Sequence, residues 1–340
     1  MQAIDFDDFG DAAVLRLRQV PDPAPRPGDL LVRVAAAGVN RADINHRRGS
    51  YGRADFGDST LMGLEIAGEV VGTGPEVEGY RIGDRVMGIV GGGAYAELAR
   101  IDHRMAMPVP DGIDLIQAAA IPEAFVTAHE ALFHLAQLQP GESVLIHAGA
   151  SGVGTAAIQL ARATGATVHV TASGSKLERL RGLGVDHGID YRHEDFADAV
   201  GRETGGKGVD VVIDFIGAPY LERNIRSLAE GGRLVQVGLM GGAQDAALPL
   251  DRILFRHLRI FGTVMKSRPP AVKQAMVRRF RDRWLDCLAS QALAPVIDRV
   301  FALADAADAH RHMEANRNVG KILLATGASG PVPKDAPSWA

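Results

Sequence analysis

The segment from Ser143 to Lys176 constrains the fold of this chain more than any other. It opens with an apolar run, Val144-Leu145-Ile146, that reads as a buried strand. A turn of small residues follows, Ala148-Gly149-Ala150-Ser151-Gly152, and then Val153, Ala156, Ala157, Leu160 and Ala161 recur at helical spacing. A second apolar strand is predicted over 167–171. Strand, glycine turn, helix and strand form the first half of a dinucleotide-binding unit. Glycines let the backbone bend tightly and approach a pyrophosphate, and the unpaired N–H groups of the helix's first turn face that anion. Gly149 and Gly154 take the first and third fingerprint positions, with Gly152 between them and Ser151 at the second. A serine hydroxyl is itself a donor for phosphate. An ordinary strand–loop–helix turn is the plain alternative, but the required elements stand on both sides of the glycines.

The same segment bears on which dinucleotide is bound. Sites specific for NAD place an acidic residue about 20 positions after the first glycine, at the end of the second strand. Between Glu142 and Glu178 there is no carboxylate, and the strand runs out into Thr171-Ala172-Ser173-Gly174-Ser175-Lys176. Hydroxyls and a lysine suit a 2′-phosphate. The expected cofactor is therefore NADPH, with Ser173 and Lys176 at its phosphate; the alternative for Lys176 is a solvated place on the next helix.

Composition sets outer bounds. The 340 residues suggest two domains, and 46% hydrophobic content with a mean hydropathy of +0.02 is that of a globular protein with ample core. A net charge of −4 favours neither nucleic acid nor an anionic membrane. One cysteine, Cys287, excludes a disulfide framework and a cysteine zinc cluster. Early acidic residues (Asp5, Asp7, Asp8) and the lack of any long apolar window leave a cytoplasmic enzyme with no membrane partner as the expectation.

Along the chain the character changes twice. Up to about residue 120, short alternating runs (30–34, 68–72, 85–89) are separated by Gly, Pro and Asp, which predicts a turn-rich β domain, barrel-like rather than doubly wound. Strands then alternate with helices, at 143–147, 167–171, 209–215, 233–238 and 259–264, which implies a parallel sheet covered on both faces. After Pro269 and Pro270 a charged helix is predicted over 272–288, followed by β-like pieces at 296–299 and 321–324 that return to the first domain. The fold class is α/β: residues 1–122 and 267–326 form one domain, and 123–266 form a nucleotide-binding domain inserted into it. The tail 327–340 reads as disordered.

Several segments together resemble a known family, the medium-chain dehydrogenases/reductases, in the zinc-independent quinone oxidoreductase (zeta-crystallin-like) branch. They are Ala37-Gly38-Val39-Asn40-Arg41-Ala42-Asp43, Gly63-Leu64-Glu65-Ile66-Ala67-Gly68, Gly83-Asp84-Arg85-Val86, the Ala-Gly-Ala-Ser-Gly-Val-Gly turn, Gly231-Gly232-Arg233 and Asn318-Val319-Gly320-Lys321. The resemblance implies a GroES-like β-barrel domain, a Rossmann domain, an active-site cleft between them and a homodimer. Zinc alcohol dehydrogenases of the superfamily carry a cysteine where this chain has Asn40 and a histidine where it has Leu64. Zinc catalysis needs about three Cys, His or carboxylate ligands, so no metal is expected, and His129 and His134 lie five apart, off the helical HExxH spacing.

Without a metal, the resemblance implies hydride transfer to an electron-poor acceptor, a quinone or a similarly conjugated carbonyl. It places Asn40 beside the nicotinamide, and Tyr51 over it as a proton donor. It further assigns Tyr191 to the adenine ribose and 2′-phosphate, Gly238, Leu239 and Met240 to the nicotinamide, and Thr127 and Asn316 to other cofactor contacts. Asp43 reads as a structural cap. The pattern Asn40-Arg41-x-Asp43…Tyr51 also resembles enoyl reductase modules of polyketide synthases, and Arg47, Arg48 and Arg53 could then meet a carrier's phosphate. A third reading, RNA or DNA binding as in some zeta-crystallin relatives, rests on the basic run Lys266 to Arg283. Asp282 and Asp286 interrupt that run and no aromatic stacking platform accompanies it, so a solvated helix face is preferred.

Overall fold

The computed structural model describes residues 1–50 and 59–327. It divides into two compact units, Met1–Val126 with the chain from Pro269 onward, and Thr127–Arg268. In chain order the first unit contributes β1 (Gln2–Asp5), β2 (Arg16–Gln19), β3 (Asp29–Val39), β4 (Glu65–Thr73), β5 (Arg85–Ile89), β6 (Leu98–Asp102) and β7 (Ala106–Pro108). The second contributes β8 (Ser143–Ile146), β9 (Thr167–Ala172), β10 (His187–Asp190), β11 (Val209–Asp214), β12 (Leu228–Gln236) and β13 (Arg259–Gly262). The chain then returns to the first unit with β14 (Ile297–Ala302) and β15 (Lys321–Ala325).

The first unit is built around β3. This strand pairs antiparallel with β4, β6 and β15, in a sheet ordered β14-β15-β3-β4-β5-β7. Its first half alternates, with Arg33 exposed between buried Val32 and Val34. Its second half, Ala35-Ala36-Ala37-Gly38-Val39, is wholly buried, and its small side chains let neighbouring groups come close. At Gly38 this is obligatory, because a Cβ there would overlap the Glu65 carboxylate.

The second unit is one parallel sheet in the order β10-β9-β8-β11-β12-β13. The order reverses between β8 and β11, and ligands of such sheets bind outside the carboxyl ends of the strands at that point. Five of the six strands coincide with the apolar runs read from the sequence. The sixth, β10, was not expected: His187, Gly188 and Asp190 leave Ile189 as its one apolar residue, too weak a pattern to read. β12 also begins earlier than expected, at Leu228, and its pairing with β11 is irregular near Val209 where Gly231 and Gly232 interrupt it.

The basic helix runs from Pro270 to Ala289 and buries Met276, Val277, Phe280, Trp284 and Leu288 along one face, which leaves its charges on the other. No helix among the described residues is long and apolar enough to cross a membrane. The stretch 328–340, read from the sequence as a disordered tail, lies outside the described residues.

Candidate active site

In the second unit the nucleotide-type turn is assembled as its residue types require. The helix Gly152–Ala163 starts directly after it, with Ser151 as its N-cap. Ser151 Oγ accepts from the Gly154 N–H at 2.9 Å, so its own hydroxyl hydrogen remains available to donate. Gly154 packs against the turn's backbone, with Ala148 O 2.5 Å and Gly149 O 2.6 Å from where a Cβ would sit. Gly149 lies against Val170 of β9. Ala148 is held at φ 49°, a left-handed conformation costly for alanine, and such strain concentrates at functional sites. This cradle, closed to a Cβ yet lined with the first-turn N–H groups of Gly152 and Val153, fits a dinucleotide pyrophosphate.

Beneath the turn lies a buried polar chain that the sequence did not announce. His147 follows β8, and burial drives it down to about 3, so it is neutral. Asn224 Nδ2 donates to Asp214 Oδ2 (3.0 Å), which turns Asn224 Oδ1 toward His147 Nε2 (2.7 Å). Nε2 must therefore carry the hydrogen, and Nδ1 accepts from the Thr171 hydroxyl (2.9 Å). Asp214 in turn accepts from the backbone N–H groups of Ile216 (2.7 Å) and Gly217 (3.1 Å). One fully satisfied network thus ties together the carboxyl ends of β8, β9 and β11.

At the end of β9, Ser173 and Lys176 are both buried, which excludes the solvated alternative for Lys176. The structure also corrects the argument that no carboxylate stands here. Asp190, at the end of the unexpected strand β10, packs directly against Gly174. It accepts from His193 Nδ1 (2.8 Å) and the Arg192 N–H (3.1 Å). Those bonds, His193 foremost, with the Gly174 N–H contributing, hold it below the usual carboxylate range. Tyr191 is exposed, and the Arg192 guanidinium lies 5.9 Å from its ring centre. Gly238, Leu239 and Met240 follow β12; Leu239 and Met240 are exposed, and Gln236 Nε2 donates to Gly238 O at 2.6 Å. Thr127 is half-buried in the helix Pro122–His129.

In the first unit Asn40 sits at the end of β3, ahead of the helix Arg41–Arg47. Its carboxamide is gripped from both ends. Lys321 Nζ donates to Asn40 Oδ1 (2.8 Å), Asn40 Nδ2 donates to Glu65 Oε1 (2.8 Å), and Lys321 Nζ donates to the same Glu65 oxygen (2.5 Å). Glu65 Oε2 accepts the Glu123 N–H at 2.9 Å. Glu65 is fully buried and Lys321 nearly so. Burial, reinforced by Glu65, raises the Glu123 carboxyl to about 8.

A second chain reaches Asn40 from behind. Asp43 Oδ2 accepts the Asn40 N–H (2.7 Å) and the Tyr95 hydroxyl (3.0 Å). His310 Nε2 lies 3.2 Å from Tyr95 Oη, and Arg47 Nη1 lies 3.3 Å from His310 Nδ1. A guanidinium only donates, so Nδ1 accepts and Nε2 donates, and the chain runs one way, Arg47 to His310 to Tyr95 to Asp43. Burial lowers His310 to about 3, and burial raises Asp43 to about 7. Asp43 is a cap, as its position suggested.

Other sequence expectations fare differently. Arg47 is fully buried, bonded to Gly10 O, His310 and Glu314, and Arg48 pairs with the same Glu314 at 2.6 Å. Arg47 is therefore not available to a carrier's phosphate. Asn316 is an exposed residue at φ 51° just past the helix Ala306–Glu314, in the first unit, whereas the other proposed cofactor residues belong to the second. Tyr51 and Arg53 lie outside the described residues. Among the described residues no group of three or more His, Cys, Asp or Glu is placed to hold a metal. Around Asn40, Glu65 is already engaged by an ammonium and Asp43 by the Asn40 N–H and the Tyr95 hydroxyl, so this donor set does not fit zinc.

Comparison with known proteins gives one match within the first unit and a second that begins in the second unit and extends into the helix Pro270–Ala289. Residues 26–111 match the family model described as alcohol dehydrogenase GroES-like domain, and 152–282 match that of zinc-binding dehydrogenase. A quinone oxidoreductase from Pseudomonas syringae pv. tomato DC3000 is 31% identical, with a TM-score of 0.85 over 95% of this chain and 99% of that one. Mycobacterial Rv1454c, solved in complex with NADPH, is 30% identical with a TM-score of 0.86 over 96% and 99%. The CurK enoyl reductase is 27% identical with a TM-score of 0.84 over 95% and 98%. Among curated sequences, the mycocerosic acid synthase-like polyketide synthase of Mycobacterium tuberculosis is 34% identical over 320 residues, 93% of this chain. The chain spans only about 15% of that synthase's length.

Proposed function

The chain belongs to the medium-chain dehydrogenase/reductase superfamily of oxidoreductases, and from that premise we propose that it passes a hydride from NADPH to a quinone or a similarly conjugated carbonyl, without zinc. The nicotinamide, when bound, supplies the hydride; the chain supplies binding, orientation and exclusion of water. The observation that carries this reading is the carboxamide of Asn40, fixed between an ammonium and a carboxylate where zinc relatives have a ligand. A carboxamide can hydrogen-bond an oxygen that gains charge, but it cannot act as the Lewis acid that simple alcohol oxidation uses. An acceptor that is already electron-poor needs no such acid. Tyr51 stands as the proposed proton donor on resemblance alone.

The preference for NADPH rests on Ser173, Lys176 and the Tyr191–Arg192 pair, which we place around the 2′-phosphate. Asp190 opposes it, but its charge is already engaged by His193 and by backbone N–H groups. Gly149, Ser151, Gly152, Val153 and Gly154 take the pyrophosphate, Thr127, Gly238, Leu239 and Met240 the nicotinamide side, and Asn316 is an adenosine contact by resemblance only. The second reading, an enoyl-thioester reductase, is favoured by the likeness to CurK and to the polyketide synthases, and on the residues in hand it is about as well supported.

One experiment separates them: loss of reduced-nicotinamide absorbance with NADPH or NADH, against a simple 1,4-quinone and a short enoyl thioester. We expect NADPH-dependent turnover of the quinone, and a KM for NADPH at least ~10-fold higher in Lys176→Ala with that for NADH little changed. Turnover of the thioester alone moves the protein to the enoyl reductases. Equal losses for both nucleotides remove Lys176 from the phosphate.

We also propose a homodimer in which a second copy adds to β13. This edge strand pairs only with β12 among the described strands, and around it Leu250, Leu254, Phe255, Ile260 and Val264 are exposed. Light scattering should give twice the chain mass, and Leu254→Glu with Phe255→Glu should give a monomer of unchanged circular dichroism. A wild-type monomer at micromolar concentration ends the proposal.

A further inference from the structure

Resting on the reading of Asn40 as a substrate contact, we propose that Lys321 and Glu65 are positioning residues that lock the Asn40 carboxamide in a single orientation, presenting an N–H donor to the substrate's carbonyl oxygen. An asparagine side chain has two nearly isosteric ends, one accepting and one donating. Left to itself at the edge of a site, it can offer either. Here both ends are specified independently. An ammonium has donors only, so the end facing Lys321 must be Oδ1; a carboxylate has acceptors only, so the end facing Glu65 must be Nδ2. A flip sets Nδ2 against the ammonium and Oδ1 against the carboxylate, two repulsive contacts in a buried site where charges interact strongly.

What remains free follows from counting hydrogens. Lys321 Nζ spends its three on Glu65 Oε1, Asn40 Oδ1 and Val39 O (3.2 Å), so it has none for a substrate. Glu65 is committed to Lys321, Asn40 and the Glu123 N–H. Of the two Asn40 Nδ2 hydrogens, one goes to Glu65, while the other has only a 3.4 Å contact with Gly38 O, at the outer limit of a hydrogen bond. That second hydrogen is the group the cage leaves for an incoming acceptor, and Asn40 itself is not fully buried. The ammonium on Oδ1 also draws electron density from the amide, which strengthens its N–H as a donor. Donation to the oxygen of a quinone, enone or thioester grows stronger as hydride arrives and the oxygen gains negative charge. Gly38 belongs to the same device, since only a residue without Cβ leaves room for the Glu65 carboxylate beneath the amide.

The test is a cycle in kcat combined with a direct view of the amide. The variants are Lys321→Met/Glu65→Gln, which removes both charges at near-constant volume, Asn40→Ala, and the triple combination. For the double variant we expect at least ~10-fold loss of kcat, with substrate KM and NADPH binding within about twofold, and for the triple variant no further loss beyond Asn40→Ala alone. In protein labelled with 15N-asparagine, the Asn40 side-chain signals, identified by their loss in Asn40→Ala, should lie well apart in the wild type. They should collapse toward free-amide positions in the double variant. Undiminished kcat in the double variant, or losses that multiply in full in the triple variant, overturns the lock, because a merely structural role acts whether or not Asn40 is present. If the double variant does not fold, Lys321→Gln/Glu65→Gln carries the same cycle, since it likewise removes both charges and each new carboxamide can present either end. If the wild type reduces none of these acceptors, the functional reading falls instead. The amide signals then decide the lock: collapse upholds it, and unchanged signals overturn it.

Discussion

Replacing Lys321 by methionine while Glu65 stays in place should destabilise the first unit by about 3–5 kcal/mol, the cost of breaking a buried ion pair from one side. Glu65 is fully buried and Lys321 4% exposed, so neither has water to turn to. Removing the ammonium takes away the shortest bond to Glu65 Oε1 and leaves a carboxylate with two N–H partners in place of three donors. Its remaining partners, the Asn40 carboxamide and the Glu123 N–H, are neutral, and the nearby Asp43 and Glu123 carboxyls bring no positive charge to replace the ammonium. Lys321→Met/Glu65→Gln, in contrast, should recover most of the loss, because it removes both charges and fills nearly the same volume. Urea denaturation of the three proteins at neutral pH decides the matter. A single variant within 1 kcal/mol of wild type (roughly a third of the smallest expected cost) means that water or a neighbouring group already solvates the pair.

The second large effect is expected at the turn. Gly154→Val should lower NADPH affinity by about 100-fold, near 2.7 kcal/mol, because the new side chain must displace backbone rather than a flexible group. Its Cβ alone meets Ala148 O at 2.5 Å and the carbonyl group of Gly149 at 2.6 to 2.7 Å. Those atoms belong to the turn whose shape presents the N–H groups to phosphate, and Ala148 is already strained. Gly201→Ala is the matched control. It lies in the helix Phe196–Glu203 of the same unit with nothing within 4 Å of its Cβ, so it should gain about 0.5–1 kcal/mol of stability and leave binding alone. Calorimetric titration with NADPH measures both. Wild-type affinity in Gly154→Val removes this turn from the nucleotide site.

How far the chain can be read before it is folded depends on whether the physics is local. The strand–turn–helix at 143–163 is legible because strand burial, glycine placement and helical spacing act between neighbours, and the structure has β8, the turn and the helix there. β10 is the instructive failure. A strand with one apolar residue carries no periodic signal; pairing with β9 makes it a strand, and it brings Asp190 to a place that a count along the sequence had declared free of carboxylate. Arg47 shows the same limit from another side. Its partners His310 and Glu314 lie 263 and 267 positions away, so nothing near it in sequence distinguishes a buried structural arginine from a surface phosphate ligand. Asn40, Glu65 and Lys321 each stand in a segment that the family resemblance singled out, but their partnership exists only once β3, β4 and β15 lie side by side.

That arrangement has a consequence for how the protein is made. Lys321 meets Asn40 from 281 positions downstream, and β15 is the strand that completes one side of β3. A ribosome adding about 5–20 residues per second delivers β15 on the order of tens of seconds after β3. By then every strand of the nucleotide-binding unit has long since emerged and can close on itself. The first unit waits meanwhile with the buried half of β3 open along one edge, a hydrophobic strand of the kind that recruits chaperones or mispairs. The nascent chain thus completes the glycine turn at 148–154 well before it has a caged Asn40, and a ribosome stalled shortly before β15 holds a chain with its parallel sheet complete and its Asn40 carboxamide unlocked.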